Sequence, residues 1–285
     1  MYRLKIIPAL SMVYVMQVLP AQTANQEAII PIVATGSLNE SMHFETTVRF
    51  LPLSSGDPFT FGLRGFDNAG GPYAVACDFA PLSGHGENPG GFTFRIGAFQ
   101  SDGPARGCRF ATQSIDGWLK VSTPLGVRVT SEVNLIQDGQ LLAAFTVPAM
   151  NAGKSWRALV VETSQDTPIN RQTAFSIVNP SQTETATVEL AIIDSSGKTL
   201  LLSDQTPIVT RFSLAPLSRR SRFLSELLTA GASAPIKNPT EFSARRERFF
   251  MIKVTSDIPV AVAALQMLSF ATGFQFIPIA IEITQ

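Results

Sequence analysis

The chain contains a long match to itself. Thr46–Gly70 (TTVRFLPLSSGDPFTFGLRGFDNAG) laid on Thr173–Gly197 (TAFSIVNPSQTETATVELAIIDSSG), an offset of 127 residues, aligns without a gap. Apolar falls on apolar: Val48 on Phe175, Phe50 on Ile177, Phe61 on Val188, Leu63 on Leu190, Phe66 on Ile193. Asp67 and Gly70 fall on Asp194 and Gly197, and the register runs back far enough to lay Ile29 on Trp156. Further on, Ala80–Ser83 matches Ala215–Ser218 at 135 and Lys120–Thr123 matches Lys253–Ser256 at 133. Such small changes of offset are what loop insertions produce. The repeat far exceeds the roughly 20–50 residues of a solenoid unit, so each copy has the size of a domain. At roughly 100–200 residues per domain, a chain of 285 is expected to hold two. The expected boundaries are residues 25–150 and 151–285, joined by the short linker Met150–Ser155.

Within each copy the pattern is that of strands. Short alternating runs such as Phe61–Phe66 and Val188–Ile193 end in Asp-Asn-Ala-Gly and Asp-Ser-Ser-Gly, which favour β-turns. Further strands are expected at Ile30–Ala34, Thr47–Leu51, Phe92–Ala98, Trp118–Val121, Val127–Leu135 and Leu142–Val147. Their second-copy counterparts are Ala158–Glu162, Ala174–Val178, Thr206–Leu214, Phe249–Val254, Pro259–Leu268 and Phe274–Ile283. The fold class this predicts is all-β: two tandem immunoglobulin-like antiparallel β-sandwich domains. Ser218–Ala230 alone reads as helix, with Ser221 or Ser218 as N-cap and Phe223, Leu224, Leu227 and Leu228 on one face.

Residues 1–24 read as a signal peptide: Arg3 and Lys5, an apolar stretch from Ile6 to Leu19, then Ala21 or Ala24 before the cut. The apolar stretch is shorter than the roughly 20 residues that span a bilayer. The expectation is an exported chain, in the periplasm, at the cell surface or in the medium, with no membrane span once the signal is removed. In an oxidising compartment Cys77 and Cys108, 31 residues apart, are candidates for a structural disulfide. Such a bridge contributes roughly 3–4 kcal/mol by constraining the unfolded chain. Two free buried thiols are the alternative.

The second half resembles modules found, often in tandem, in secreted bacterial proteins. The matching segments are Ile177-Val178-Asn179-Pro180, Thr185–Leu190, Asp194–Gly197, Ala215-Pro216, Phe223–Leu227 and Thr255–Leu265. The first half carries the likeness weakly, with Pro52-Leu53 in place of Asn-Pro and no helix motif. The resemblance implies an immunoglobulin-like sandwich in an exported protein. It implies no reaction and no ligand.

Candidate chemistry is sparse. Lys plus Arg and Asp plus Glu number 22 each, so no net basic charge attracts nucleic acid. Two His and two Cys build a four-ligand zinc site only if all converge, and no cofactor is expected. There is no Gly-x-Ser-x-Gly elbow, and His85, in a Gly-rich stretch, reads as a solvated loop tip. Two arginine clusters, Arg219, Arg220, Arg222 and Arg245, Arg246, Arg248, read first as solvated decoration neutralised by Glu226, Glu241 and Glu247, with an anion patch as the alternative. Trp118 and Trp156 would serve a carbohydrate-binding face only if exposed. The expected function is a non-catalytic interaction or structural module whose partner is an extracellular protein or polysaccharide. A carbohydrate-binding module is the alternative, and an exported hydrolase the third reading.

Overall fold

Alternating sequence becomes antiparallel sheet over most of the described residues. The computed structural model describes residues 25–52, 59–73, 85–87, 91–96, 106–109, 115–163, 169–194, 196–201, 205–230, 247–270 and 273–284. The first half comprises β1 (Asn25–Ser37), β2 (Met42–Pro52), β3 (Phe59–Asp67), β4 (Pro72–Tyr73), β5 (His85–Glu87), β6 (Gly91–Ile96), β7 (Arg106–Arg109), β8 (Ile115–Pro124), β9 (Val127–Gln137) and β10 (Gln140–Pro148). The second comprises β11 (Gly153–Thr163), β12 (Asn170–Val178), β13 (Ala186–Ile193), β14 (Val209–Leu214), β15 (Arg219–Phe223), α1 (Leu224–Ala230), β16 (Glu247–Phe270), β17 (Gly273–Ile279) and β18 (Ile281–Ile283). The protein is all-β and sandwich-like, with one short helix among the described residues.

The internal repeat is written into the strand pairing. In the first half β8 pairs with β1 and β3, β9 pairs with β2 and β10, β3 with β6, and β2 with β7. The second half repeats this with β16 in place of β8 and β9 together: its first part pairs with β11 and β13, its last part with β12 and β17. The remaining pairs, β13 with β14 and β12 with β15, match as well. Register agrees residue by residue. Val48 faces Ser131 and Leu63 faces Val121, while Phe175 faces Ala264 and Leu190 faces Val254, at the two sequence offsets of 127 and 133. In β1 the 127 offset holds from Val33 onward, since Val33 faces Gly117 as Val160 faces Phe250. Before it a β-bulge between Ile30 and Val33 adds one residue, so Ile30, and not the Pro31 of the ungapped match, occupies the place of Ala158.

Three sequence expectations are corrected. Phe249–Val254 and Pro259–Leu268 are not separate strands but parts of β16. Asp257-Ile258-Pro259 looks like a turn, yet it lies where the strand leaves one set of partners for the other, so the missing Pro N–H falls at the change of sheet. At the equivalent place in the first half, Leu125-Gly126 does make a turn. The helix is shorter than Ser218–Ala230: Arg219–Phe223 is strand β15, paired to β12, and α1 starts at Leu224. Its cap is therefore neither Ser218 nor Ser221. The Phe223 N–H donates to the Glu226 carboxylate at 3.1 Å, half of a capping box. Leu224 and Leu227 do enter the core. His85 is not at a loop tip but on β5, which pairs with β6.

Two interior clusters keep to one half each. Phe50, Phe61, Leu63, Leu119 and Val129 belong to the first, and Trp156, Phe175, Ile177, Leu190, Ile252 and Val262 to the second. Two more clusters join the halves: Ile29, Phe66 and Trp118 with Val178 and Ala261, and Val147 with Ala263 and Leu265. This explains why Val260–Leu265 is buried at every residue. Val260, Val262 and Ala264 face their own core, while Ala261, Ala263 and Leu265 face the first half. The expected linker is likewise structural, because Met150 exchanges two backbone hydrogen bonds with Ile29 and Gly153 already begins β11. In the second half β18 does the same for β11.

The Asp67–Gly70 and Asp194–Gly197 turns both form, each closed by a glycine N–H donating to the aspartate carbonyl. Gly70 (φ 94°) also faces the neighbouring half, where an added Cβ would lie 2.7 Å from the Pro216 carbonyl oxygen. Gly197 (φ 84°) has nothing nearer than an Arg157 nitrogen at 3.8 Å. Gly70→Ala is therefore expected to cost about 2 kcal/mol, from strain plus collision, and Gly197→Ala about 1, from strain alone. Urea denaturation of the two variants checks this difference.

Candidate functional site

Polar side chains converge in two places among the described residues. The first is the junction between the halves. Arg219, its side chain 3% exposed, projects from β15 into the first half. Its guanidinium donates to Asp116 Oδ1, to the carbonyl oxygens of Gly117 and Pro31, and to Asn68 Oδ1 at 2.8 Å. The Asn68 amide in turn donates to Asp116 Oδ2 at 2.6 Å. Burial pulls the Arg219 pKa down while Asp116 opposes that shift, and burial raises the Tyr73 phenol beside them. Ser176 Oγ donates to the Pro31 carbonyl at 2.7 Å, and Trp118 Nε1 to the Leu217 carbonyl at 2.9 Å.

The second place is one end of the second core. Glu162 of β11, Thr173 of β12 and Gln266 of β16 all stand on inward-facing positions of their strands. Thr173 and Gln266 are direct cross-strand partners. The Thr173 N–H donates to Glu162 Oε1 at 2.6 Å, and Gln266 Nε2 donates to the Val161 carbonyl at 2.6 Å. Burial pushes the Glu162 carboxyl up to about 7, with Thr173 pulling the other way. Thr173 is fully buried, and its hydroxyl acts on the Glu162 carboxylate without completing a well-formed hydrogen bond.

The expected site residues fare unequally. Arg219 leaves the surface cluster altogether, so the six arginines are not one patch. Arg220 lies 4.7 Å over the Phe212 ring, and Arg222 is exposed. Arg245 and Arg246 lie outside the described residues, and Arg248 falls on β16. Cys77 also lies outside them; Cys108 is on β7, opposite Val48. Trp118 and Trp156 are 0% and 3% exposed, so neither offers a sugar a stacking platform. His43 is 3.4 Å from Glu45. No group of three or more His, Cys, Asp and Glu among the described residues is placed to hold a metal. No helix among them is long and apolar enough to cross a membrane.

Sequence reading passed over Asp116, Glu162, Thr173 and Gln266, and took Asn68 as a turn residue alone. A signal existed for two of them: Glu162 follows Arg-Ala-Leu-Val-Val, and Gln266 interrupts Val-Ala-Val-Ala-Ala-Leu, each a polar residue at the inward phase of an apolar strand. Comparison with known proteins found no matching family model, curated protein or solved structure.

Proposed function

We propose that the protein is an exported, non-catalytic β-sandwich module that serves an interaction or structural role outside the cytoplasm. The observation that carries this reading is the use made of its polar and aromatic side chains. Arg219, Asp116, Asn68 and Trp118 all hold one half against the other. Such use of polar and aromatic groups supports a rigid spacer or docking body. The signal-like N-terminus and the likeness of the second half to secreted bacterial modules support the location. The partner class is an extracellular protein or polysaccharide.

Fractionation of cells expressing the tagged full chain tests the reading. The expected result is a processed protein outside the cytoplasm, beginning after Ala21 or Ala24, that retains a partner in a pull-down from surface extract. An unprocessed cytoplasmic chain would overturn the location. Hydrolytic turnover abolished by His85→Ala would overturn the non-catalytic role.

A further inference from the structure

The repeat supplies an internal control for the polar end of the second core. In the first half the positions equivalent to Glu162, Thr173 and Gln266 are Thr35, Thr46 and Val133, and Thr46 faces Val133 as Thr173 faces Gln266. Thr46 is fully engaged there: its Oγ1 donates to the Ala34 carbonyl at 2.6 Å and accepts from the Ala34 N–H at 3.0 Å. In the second half the carbonyl equivalent to that of Ala34 belongs to Val161, and Gln266 takes it. The Thr173 hydroxyl is thereby released from the role its counterpart plays. The second core thus buries a carboxamide and a carboxyl where the sister core manages with Val and Thr, and it holds each by a hydrogen bond, the condition on which such groups are buried at tolerable cost.

Those groups have complementary chemistry. A hydroxyl becomes a nucleophile when a base takes its proton, and a carboxamide is an acyl donor whose leaving group is ammonia. Three buried hydroxyls among the described residues, Thr173, Thr210 and Ser256, make no well-formed hydrogen bond, and Thr173 acts on the Glu162 carboxylate. Thr210 faces Leu190 and Ser256 faces Val188, so only Thr173 looks across its ladder at an acyl group. Directly opposed residues bring their Cβ atoms to about 5 Å, within reach of a bond between the two side chains.

We propose that Thr173 and Gln266 join in an intramolecular ester cross-link between β12 and β16, with Glu162 as the proton carrier. Thr173 Oγ1 attacks Gln266 Cδ, the Oγ1–Cδ bond forms, and the Cδ–Nε2 bond breaks. Glu162 takes the hydroxyl proton and passes it to the leaving nitrogen, which departs as ammonia. No electron is gained or lost and no co-reactant is needed. A carboxyl titrating at about 7 suits both halves of that transfer near neutral pH. The Val161 carbonyl holds the departing nitrogen in place, and burial at the core's end keeps water from the ester. The step occurs once per chain, so it sits with a structural module and does not depend on where the protein resides.

Intact-mass and peptide analysis of the purified full chain is the test. The expected mass is one ammonia, about 17 Da, below that calculated for the chain from its observed N-terminus. After digestion the peptides carrying Thr173 and Gln266 should remain joined, and mild alkali should separate them with gain of one water. Thr173→Val and Gln266→Leu should each restore the unmodified mass. Thr173→Ser should retain the link, and Glu162→Gln should slow its formation about a hundredfold or more. Separate Thr173 and Gln266 peptides from folded wild-type protein, its cooperative melting verified, would overturn the proposal. So would an ammonia loss that maps elsewhere, such as cyclisation of an N-terminal glutamine.

Discussion

Replacing Arg219 by methionine is expected to lower stability by about 3 kcal/mol and to uncouple the two halves. Methionine keeps much of the apolar stem but removes every donor of the guanidinium. The buried Gly117 carbonyl then loses the cation that meets it and the Pro31 carbonyl keeps only Ser176, and unmatched buried polar groups cost about 1–3 kcal/mol apiece before relaxation, whereas the exposed Asn68 Oδ1 turns to water. The carboxylate is left better off, because Asp116 is 64% exposed and water can replace the cation. This asymmetry makes Arg219, not Asp116, the sensitive end of the pair. Each half contains one tryptophan, Trp118 and Trp156, so fluorescence can follow the halves separately in Trp→Phe backgrounds. The unmutated chain should unfold with coincident transitions and Arg219→Met with two. Arg220→Met removes only a cation over the Phe212 ring and should cost under about 1 kcal/mol. Coincident transitions and an equal loss in both variants would refute the assigned role.

Trp118→Ala should be more damaging still, at about 4–5 kcal/mol. The indole is completely buried and stacked on Phe66 with ring centroids 4.7 Å apart. Its removal leaves a large cavity in a cluster to which both halves contribute, and large aromatic-to-alanine changes cost about 3–5 kcal/mol. The lost N–H bond to the Leu217 carbonyl adds about 1 kcal/mol. Trp118→Phe preserves the stack and forfeits mainly that bond, so it should retain most of the stability. Chemical denaturation of both variants would decide, and a Trp118→Phe loss as large as that of Trp118→Ala would show that the hydrogen bond, not the packing, matters most.

The architecture was legible because the repeat and the alternation are properties of single strands. Val48 and Phe175, or Leu63 and Leu190, announce inward positions whatever surrounds them. What the halves do to each other is written across strands and is harder to read. Arg219 sits among other arginines and looks like surface charge until its inward register against Val178 is known. Trp118 betrays nothing of Leu217, a residue 99 positions away. One clue does lie in the sequence: Ile258-Pro-Val-Ala-Val-Ala-Ala-Leu265 does not alternate with polar residues, and an unbroken apolar run marks a strand covered on both faces. Gln266 at its end is conspicuous only because Val133 stands at the matching place.

The covered outer face of β12 and β16 differs in kind from its sister face in the first half. Where the second half presents Ser176, Ala261, Ala263 and Leu265 to its neighbour, the first presents Arg49, Arg128, Thr130 and Glu132 to water, with Arg49 and Glu132 ion-paired at 2.7 Å. On that side the first copy is compatible with water, while the second would expose methyl groups if its neighbour were removed. The two copies are therefore not interchangeable: the outer face of the second depends on the first.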